Sequence, residues 1–367
     1  MTAGPAASAD RSLLAADLRE RVQTVLTHFL SEQSAVLETI GTDLEPVTDA
    51  LREFLLDGGK RLRPTFAYWG YRGAGGQDGD SILRAAASLE LLHACALIHD
   101  DVMDGSDTRR GHPAVHRRFA VLHDKQAWEG SSDTFGESAA ILLGDLCLVW
   151  AEQMLTTSGL PETALVRARG VYDEMRVELM SGQYLDLLEQ ARGGHDMARA
   201  LRVARYKSAK YTIERPLHVG AALAGDDPEV RTVYSDYGLP LGEAFQLRDD
   251  VLGVFGDPEV TGKPAGDDLR EGKRTALIAM ALDHADPAQA AVVREHLGDP
   301  ELERGGVEAL RTVISDTGAL DKVEALIEQR TQQALGALDV AARRGTIAAE
   351  AAEVLQDLAV AATTRRV

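Results

Sequence analysis

The chain has 367 residues, of which 45% are hydrophobic and 26% are charged, a composition typical of a folded globular protein rather than of a disordered chain. Its 58 acidic residues outnumber its 39 Lys and Arg residues, and the net charge of −19 argues against nonspecific nucleic-acid binding because a phosphate backbone would be repelled. The two cysteines, Cys95 and Cys147, lie in apolar helical stretches typical of buried free thiols, so we expect neither a disulfide nor a cysteine-based metal site.

The N-terminal residues 1–12 contain no basic start followed by an apolar segment, so we predict a disordered leader rather than a secretion signal. We predict a single all-helical domain over residues 13–367, since no linker rich in Pro, Gly or Ser divides them. The most apolar stretch, residues 139–150, is interrupted by Asp145 and falls short of the ~18 apolar residues of a bilayer span. We therefore expect a cytoplasmic protein without a membrane span.

Helical periodicity dominates the chain and strand patterns are scarce, which predicts an all-α fold built as one large antiparallel helical bundle. From Ile82 onward, apolar residues recur every three or four positions and predict a long helix that runs directly into Asp100. Comparable helical patterns cover residues 139–157, 162–190, 198–224, 229–255, 275–297 and 301–365.

Three segments are predicted to be loops. Residues 74–80 are rich in glycine, and residues 124–136 mix Gly, Ser and Asp around an isolated Trp128, for which we assign no function. Residues 256–272 form a longer segment with several Pro, Gly and charged residues. Because loops of this length are usually functional, we interpret it as a candidate lid.

A first acidic cluster lies at the end of the predicted long helix, where Asp100 and Asp104 share one helix face and Asp101 flanks them. Like charges this close repel each other unless a cation neutralises them, and ligand sets made only of oxygen favour Mg²⁺ over zinc. From this motif alone, a solvated acidic helix end is an equally good interpretation.

A second acidic pair, Asp249 and Asp250, follows an apolar run and precedes the candidate lid. Two facing acidic clusters could clamp a diphosphate through several Mg²⁺ ions, since magnesium is usually bound by one or two carboxylates together with substrate phosphates. The alternative interpretation, a solvated helix face, is weaker for this pair, because unpaired charges on an otherwise apolar helix are costly to bury.

Basic residues occur where such a diphosphate would need them. The segment Gly58-Gly59-Lys60-Arg61-Leu62-Arg63-Pro64 presents three cations, and Arg109-Arg110 follows the first acidic cluster. Guanidinium groups suit phosphate oxygens, although a Gly-Gly-Lys turn by itself is also typical of a helix C-terminus. The segment lacks the spacing of a P-loop, so nucleotide binding is not supported.

Five ordered motifs, GGKRLRP, LLHACALIHDDVMDGSDTRRG, GQYLD, YKSAKYT and FQLRDDVLGVFGDPEVTGKPAGDDLREGKRT, together resemble the trans-isoprenyl diphosphate synthases, the head-to-tail prenyltransferases. The resemblance implies an isoprenoid synthase fold with a central cavity, Mg²⁺ as cofactor and a homodimer. It implies condensation of isopentenyl diphosphate with an allylic diphosphate, either dimethylallyl, geranyl or farnesyl diphosphate.

The family's functional residues carry over by position. Those matching metal ligands of the two aspartate-rich motifs are Asp100, Asp101, Asp104, Asp249 and Asp250. Those matching contacts to isopentenyl diphosphate are Lys60, Arg63, His93 and Arg110. Those matching contacts to the allylic diphosphate or its surroundings are Arg109, Gln183, Asp186, Lys207, Ser208, Gln246, Lys263 and Lys273. Asp100, Asp104, Asp249 and Lys207 are the candidate catalytic residues.

Three residues, Cys95, Ala96 and Gly253, bear on product length or activity. In the family, bulky residues four or five positions before the first Asp stop chain growth, whereas Ala96 and Cys95 are small here. The resemblance therefore implies a product longer than farnesyl, with geranylgeranyl diphosphate expected and farnesyl or longer polyprenyl products as alternatives. Gly253 replaces the last Asp of the second motif.

Two other functions remain as alternatives. A class I terpene cyclase also uses an aspartate-rich motif, but the second metal motif typical of cyclases is not found in the sequence. A noncatalytic subunit of a heteromeric synthase is suggested by Gly253 and opposed by the other intact aspartates.

Overall fold

A computed structural model describes the backbone of residues 5–192, 194, 196–256 and 266–364, and the side chains from residue 17 onward within those ranges. The helices in chain order are α1 Pro5–Ile40, α2 Glu45–Leu56, α3 Leu62–Gly73, α4 Asp80–Asp104, α5 Val115–Lys125, α6 Ser132–Thr156, α7 Glu162–Arg192, α8 Met197–Val203, α9 Arg215–Ala224, α10 Pro228–Phe255, α11 Asp267–Arg270, α12 Ala276–His284, α13 Pro287–His296, α14 Arg304–Asp316, α15 Ala319–Arg344 and α16 Ala349–Thr363. A 3₁₀ turn at Thr42–Leu44 precedes α2, and a π-helical segment, Ala204–Glu214, joins α8 to α9.

Strand structure within the described ranges is confined to one hairpin after the acidic end of α4. Its strands, β1 Thr108–Arg109 and β2 His112–Pro113, pair antiparallel. The predicted all-α fold is therefore confirmed.

Helix α4 runs through the protein core, as its apolar periodicity predicts. Residues such as Leu89, Leu92 and Ile98 are at most 1% exposed. Helices α4 and α6 are long and apolar enough, by length and composition, to cross a bilayer, a test that core helices also pass. Because 72% of the most apolar 18-residue stretch of α4 is buried within the protein, core packing explains the hydrophobicity of this helix.

Helix α10 belongs to two apolar clusters. Its first half, including Tyr234 and Tyr237, packs into the cluster that also contains α4 and α6. Its second half, including Leu247 and Val251, packs with helices α12, α14 and α15. Asp249 and Asp250 therefore lie on a helix that is held on both sides by buried side chains.

The structure differs from the prediction at three places. Helix α1 begins at Pro5, so it overlaps the expected leader of residues 1–12, while residues 1–4 lie outside the described residues. Helix α6 begins at Ser132, where Ser131 Oγ accepts a hydrogen bond from the Thr134 amide, so the predicted loop at 124–136 is shorter. The predicted helix at 198–224 contains the π-helical segment.

The candidate lid is described only in part. Within residues 256–272, helix α11 forms at Asp267–Arg270, and residues 257–265, including Lys263, lie outside the described residues.

Candidate active site

A cavity of about 440 Å³ lies between α4, α7, the π-helical segment and α10. It brings together most of the residues that the motifs predict. The predicted residues on its wall are Lys60, Arg63, His93, Ala96, Asp100, Arg109, Gln183, Asp186, Lys207, Ser208, Gln246, Asp249, Asp250 and Lys273. The motifs, which are spread over more than half of the chain, thus converge on one site.

Asp100 forms the first acidic wall of the cavity. Its Oδ1 accepts hydrogen bonds from Lys207 Nζ at 3.0 Å and from Gln183 Nε2 at 2.8 Å. Burial alone would raise the pKa of Asp100, but the neighbouring cations Lys207, Lys273 and Arg109 outweigh it and lower this pKa to about 2. The carboxylate is therefore held ionised, facing the cavity.

Asp104 lies one helical turn later and is almost fully buried. Its two carboxylate oxygens have no hydrogen-bond partner among the described residues, and Lys273 Nζ approaches one of them at 3.5 Å. Burial and the nearby Asp100 raise the pKa of Asp104 to about 6. A buried carboxylate without hydrogen bonds is costly unless a cation joins it, so Asp104 suits a bound divalent ion.

Asp101 is oriented differently from its two neighbours. It is 0% exposed, does not line the cavity, and accepts a hydrogen bond from Arg109 Nε at 2.8 Å. The Asp101 carboxylate is directed at Arg109 rather than at the cavity, and its role as a metal ligand stays a prediction. Arg109 in turn lines the cavity and lies 3.8 Å from Asp100.

The second acidic wall is formed by Asp249 and Asp250 on α10. Gln246 Nε2 donates a hydrogen bond of 2.8 Å to Asp250 Oδ1. The pKa of Asp250 is raised to about 7. Burial is the main cause, and the charges of Asp268 and Asp249 add to the rise, whereas the Gln246 hydrogen bond opposes it. Gly253 also lines the cavity, so the position at which the family usually carries a third Asp does face the site.

A group of cations surrounds His93 at the other end of the cavity. Arg63 donates a 2.8 Å hydrogen bond to Thr212 Oγ1 and stacks over the Tyr211 ring at 4.3 Å from its centroid. Burial and the neighbouring arginines lower the pKa of His93 well below its usual value, so the imidazole is neutral. Its buried Nδ1 has no hydrogen-bond partner among the described residues. An anion is the ligand that this combination favours.

Arg110 lies outside the cavity wall, in contrast to the other predicted contacts to isopentenyl diphosphate. Its Nη1 reaches the Phe54 carbonyl at 3.4 Å and lies 3.8 Å from an ideal Cβ built at Gly59. Gly59 has a φ of 100°, which glycine adopts without strain. Arg110 thus borders the Gly-Gly turn that carries Lys60 to the cavity.

Lys207 projects from the π-helical segment, together with the other lining residues Ala204, Ser208, Tyr211 and Thr212. Its Nζ also lies 2.7 Å from Asp186 Oδ2, so it links α7 to α4. Gly182 allows this approach, because a Cβ there would lie 2.7 Å from Lys207 Cα. Single π-helical turns recur at functional sites, and here a π-helical segment of 11 residues supplies these five residues to the cavity wall.

Acidic side chains alone do not complete a metal site. Within the described ranges, no group of three His, Cys, Asp or Glu side chains is arranged to hold a metal ion. The donors present are oxygen atoms from α4 and α10, and the Asp104 carboxylate has no hydrogen-bond partner among the described residues, so the residues fit Mg²⁺ if a bound diphosphate supplies the remaining ligands.

Comparisons with known proteins identify the family of the chain. A family model described as polyprenyl synthetase matches residues 45–314. The geranylfarnesyl diphosphate synthase of Aeropyrum pernix is 33% identical over 302 residues, which cover 81% of this chain and 87% of that protein. The geranylgeranyl diphosphate synthase of Mycobacterium tuberculosis is 32% identical over 286 residues, covering 78% of this chain and 76% of that protein.

Among solved structures, a geranylgeranyl pyrophosphate synthase from Corynebacterium glutamicum, complexed with isoprenyl diphosphate and magnesium, matches with a TM-score of 0.91 at 44% identity. The match covers 95% of this chain and 99% of that one. The chain belongs to the polyprenyl synthetase family. The predictions of the family, of a prenyl-transferring enzyme and of head-to-tail chemistry are confirmed.

In this polyprenyl synthetase only one of the two positions predicted to limit product length lines the cavity. Ala96 lines the cavity, whereas Cys95 does not and is 1% exposed in the core. The Cys95 Sγ lies 3.8 Å from His99 Nδ1, and burial raises its pKa to about 12. Of the two positions, Ala96 is the one whose side chain directly bounds the space for a substrate.

The charged residues of the cavity wall that sequence reasoning missed are Asp267, Asp268 and Arg274. All three lie inside the last quoted motif, so their proximity to Lys273 was the available signal. The buried Nε of Arg274 has no hydrogen-bond partner among the described residues. Lys263, predicted to contact the allylic diphosphate, lies outside the described residues.

Proposed function

We propose that this enzyme condenses isopentenyl diphosphate with an allylic diphosphate and releases geranylgeranyl diphosphate as its main product. The observation that carries this proposal is the pairing, in one cavity, of two acidic walls with a separate cationic group around the neutral His93. Such a cavity can hold one diphosphate through metal ions and a second through cations alone. A terpene cyclase needs only the first of these two sites.

Magnesium is the proposed cofactor, as in the Corynebacterium glutamicum complex. Asp100 and Asp104 from the first wall and Asp249 from the second would hold it, and we propose several ions, because the two walls are separate. When bound, magnesium would supply positive charge that stabilises the departing diphosphate.

Two cationic side chains of the protein, Lys207 and Arg109, lie at the proposed magnesium site. Lys207 and Arg109 lie beside Asp100, so they can bind diphosphate oxygens and stabilise the negative charge that grows as the allylic C–O bond breaks. Interactions that strengthen as this charge develops lower the barrier, because they favour the transition state over the bound substrate.

Isopentenyl diphosphate is assigned to the group around His93. Lys60, Arg63 and neutral His93 would bind its diphosphate and direct its double bond toward the allylic carbon. The double bond's electron pair forms the new C–C bond with the allylic cation, and the product then loses one proton. We assign that proton to the released diphosphate.

The growing chain is proposed to extend along the apolar wall of the cavity. Its apolar lining includes Ala96, Leu97, Leu179, Val203, Phe245 and Leu252. The small Ala96 side chain leaves room near the first acidic wall, which favours a product longer than farnesyl.

We also propose that the enzyme is a homodimer that assembles through an apolar face on α6 and α7, called here the α6/α7 face. Its exposed apolar residues are Ile141, Leu142, Val149, Val166, Val177, Met180 and Tyr184. The two helices are joined by an Arg176–Glu152 ion pair of 3.1 Å. Large contiguous apolar surfaces on folded proteins usually mark interfaces, and a second copy would cover this one.

The test is turnover by the purified chain alone. Isopentenyl diphosphate is supplied with dimethylallyl, geranyl or farnesyl diphosphate, with Mg²⁺ or with EDTA, and the products are identified by mass spectrometry. The proposal expects Mg²⁺-dependent formation of a twenty-carbon diphosphate and its loss in Asp100→Asn. Absence of turnover with every primer would contradict it and favour the noncatalytic subunit.

A further inference from the structure

A buried arginine, Arg61, lies between the cavity residues Lys60 and Arg63 but does not itself line the cavity. We propose that Arg61 is a positioning residue for isopentenyl diphosphate. Its guanidinium group fixes the Gly-Gly turn, residues 58–61, and thereby holds the two neighbouring cations on the cavity wall. This inference rests on the proposed function, which assigns isopentenyl diphosphate to the group around His93.

The backbone of the Gly-Gly turn is the first argument. The φ angles of Gly58, Gly59 and Arg61 are 82°, 100° and 51°. Glycine adopts positive φ values readily, whereas a residue with a side chain rarely does, because its Cβ approaches the following carbonyl oxygen. Such a conformation persists when contacts elsewhere determine it, so Arg61 must be held by its surroundings.

The Arg61 side chain makes the contacts that hold it. Its Nη1 donates a 2.6 Å hydrogen bond to Glu90 Oε2 on α4. Its Nη2 donates to Gln23 Oε1 on α1 at 2.6 Å and to the Leu55 carbonyl on α2 at 2.5 Å. The side chain is 2% exposed. One buried guanidinium group therefore fixes the turn relative to three helices.

The position of Arg61 affects both cavity residues of this segment. Lys60 directly precedes it, and α3 begins directly after it at Leu62, so Arg63 lies in the first turn of that helix. The Arg61 carbonyl accepts hydrogen bonds from the Thr65 amide at 3.1 Å and from Thr65 Oγ1 at 2.7 Å. A displaced Arg61 would therefore move the start of α3 together with the turn.

The turn also packs against this guanidinium group through space. An ideal Cβ built at Gly59 would lie 3.3 Å from Arg61 Nη1, which is closer than an ordinary van der Waals contact. The glycine thus lets the backbone approach the buried side chain closely. Arg61 supports the backbone that carries Lys60 both along the chain and from below.

A contribution to stability alone is the competing explanation. Since Arg61 joins α1, α2 and α4, its loss could lower the amount of folded enzyme without changing how the folded enzyme binds substrate. The two explanations differ in their kinetics. A smaller folded fraction lowers the apparent kcat and leaves both KM values unaltered. Displacement of Lys60 and Arg63 instead raises KM for isopentenyl diphosphate and not KM for the allylic substrate.

The experiment compares the two KM values in Arg61→Lys. Lysine keeps the positive charge but cannot reproduce the three hydrogen bonds of the planar guanidinium group. KM for isopentenyl diphosphate, measured with Mg²⁺ and saturating farnesyl diphosphate, should rise by roughly tenfold, since displaced positioning groups can cost up to about 10²-fold. KM for farnesyl diphosphate, measured with saturating isopentenyl diphosphate, should not change.

Two further variants accompany this measurement. Gln23→Ala removes only the partner of Arg61 on α1, so it should raise KM for isopentenyl diphosphate by a smaller factor. Arg215→Lys makes the same substitution at another buried arginine, which contacts Glu174 and Glu178 and does not line the cavity. It should leave both KM values unaltered. Circular-dichroism melting curves establish that each variant is folded at the assay temperature.

Two results would overturn the inference: an unaltered KM for isopentenyl diphosphate in folded Arg61→Lys, or an equal increase of both KM values. If Arg61→Lys does not fold, Gln23→Ala decides by the same two criteria.

Lys60→Gln separates this failure from that of the proposed function, because Lys60 is assigned to direct contact with the substrate. If Lys60→Gln raises KM for isopentenyl diphosphate selectively while Arg61→Lys does not, only the inference fails. If Lys60→Gln leaves this KM unaltered, the assignment of isopentenyl diphosphate to the group around His93 fails as well.

Discussion

Lys207 Nζ lies 3.0 Å from Asp100 Oδ1 and joins the π-helical segment to the acidic end of α4. This contact pairs a candidate catalytic cation with a candidate metal ligand within the protein itself. It holds the carboxylate ionised and the ammonium group in place, so that neither has to be ordered when the diphosphate arrives.

Replacement of Lys207 by Gln should lower kcat/KM by about 10²- to 10³-fold, the range typical for loss of one donor to a developing anion. It should also raise the pKa of Asp100, since Lys207 is the foremost of the cations that oppose the effect of burial. The acidic limb of the pH–rate profile is then expected to move to higher pH. Steady-state kinetics across a pH series measures both effects, and a profile that keeps its position would contradict the assigned contact.

Adjacent residues show how far the sequence predicts this site. Lys60 and Arg61 stand side by side in the Gly-Gly-Lys segment, but Lys60 lines the cavity while Arg61 is 2% exposed and bound to Glu90. Their chemistry and spacing are nearly the same, so only the packing of α1, α2 and α4 around Arg61 separates them. The resemblance to a family had already singled out Lys60 and Arg63.

Other features depend on contacts that spacing does not reveal. Asp100 and Asp249 were recognised from local motifs, because each stands at the end of an apolar helix. Asp268 and Gly253, which approach each other, are separated by 15 positions in the sequence, and the orientation of Asp101 toward Arg109 depends on the β1–β2 hairpin. The π-helical turn at Lys207 has no periodicity that distinguishes it from an α-helix.

The chain-length assignment predicts different results for two neighbouring residues. Ala96→Tyr should shift the main product from twenty to fifteen carbons, since the ring would enter the cavity. Cys95→Phe should instead reduce stability by about 1–3 kcal/mol, because it adds volume to a packed core. Product chromatography and urea unfolding of both variants distinguish these outcomes, and an unchanged product from folded Ala96→Tyr would contradict the assignment.

The buried Arg61–Glu90 pair is expected to be important for stability. Its nitrogen and oxygen lie 2.6 Å apart, with side chains 2% and 5% exposed. Glu90→Ala leaves a buried charge without its partner, so the free energy of unfolding should fall by about 3–5 kcal/mol. Glu32→Ala removes the partner of Arg84 in an exposed pair and should cost under about 1 kcal/mol. Chemical denaturation measures the free energy of unfolding of both variants, and similar losses in the two would contradict this prediction.

His218 predicts a pH dependence of stability. It is 2% exposed, and burial, with added repulsion from Arg215 and Arg231, lowers its pKa from 6.5 to about 4. Because the unfolded chain binds the proton more readily, the stabilising contribution is complete above about pH 6.5 and decreases as the pH falls toward 4.

At about pH 5 this contribution should be smaller by about 2 kcal/mol than at about pH 7.5. His218→Gln has no ionisable group at this position. Between about pH 7.5 and about pH 5, its free energy of unfolding should therefore fall by about 2 kcal/mol less than that of the unaltered protein. Urea denaturation of both proteins at the two pH values measures the difference. Parallel losses in the two proteins would show that His218 is not the responsible group.

The α6/α7 face predicts the effect of one surface substitution. Leu142, 66% exposed in the single chain, should be covered in a homodimer. Leu142→Asp would place a charge in that interface and should give a folded monomer, measured by light scattering after size-exclusion chromatography. Val121→Asp on α5 introduces the same charge at another exposed apolar residue and should leave the dimer intact. A monomeric unaltered protein would refute the proposed assembly.

Lys273 lies among Asp104, Asp268 and Glu271. The cavity consequently carries its own counterion, which offsets the mutual repulsion of these carboxylates. Binding of the proposed metal-bound diphosphate would then be an exchange of ionic partners, in which the Lys273 ammonium group would turn from these carboxylates to the phosphate oxygens.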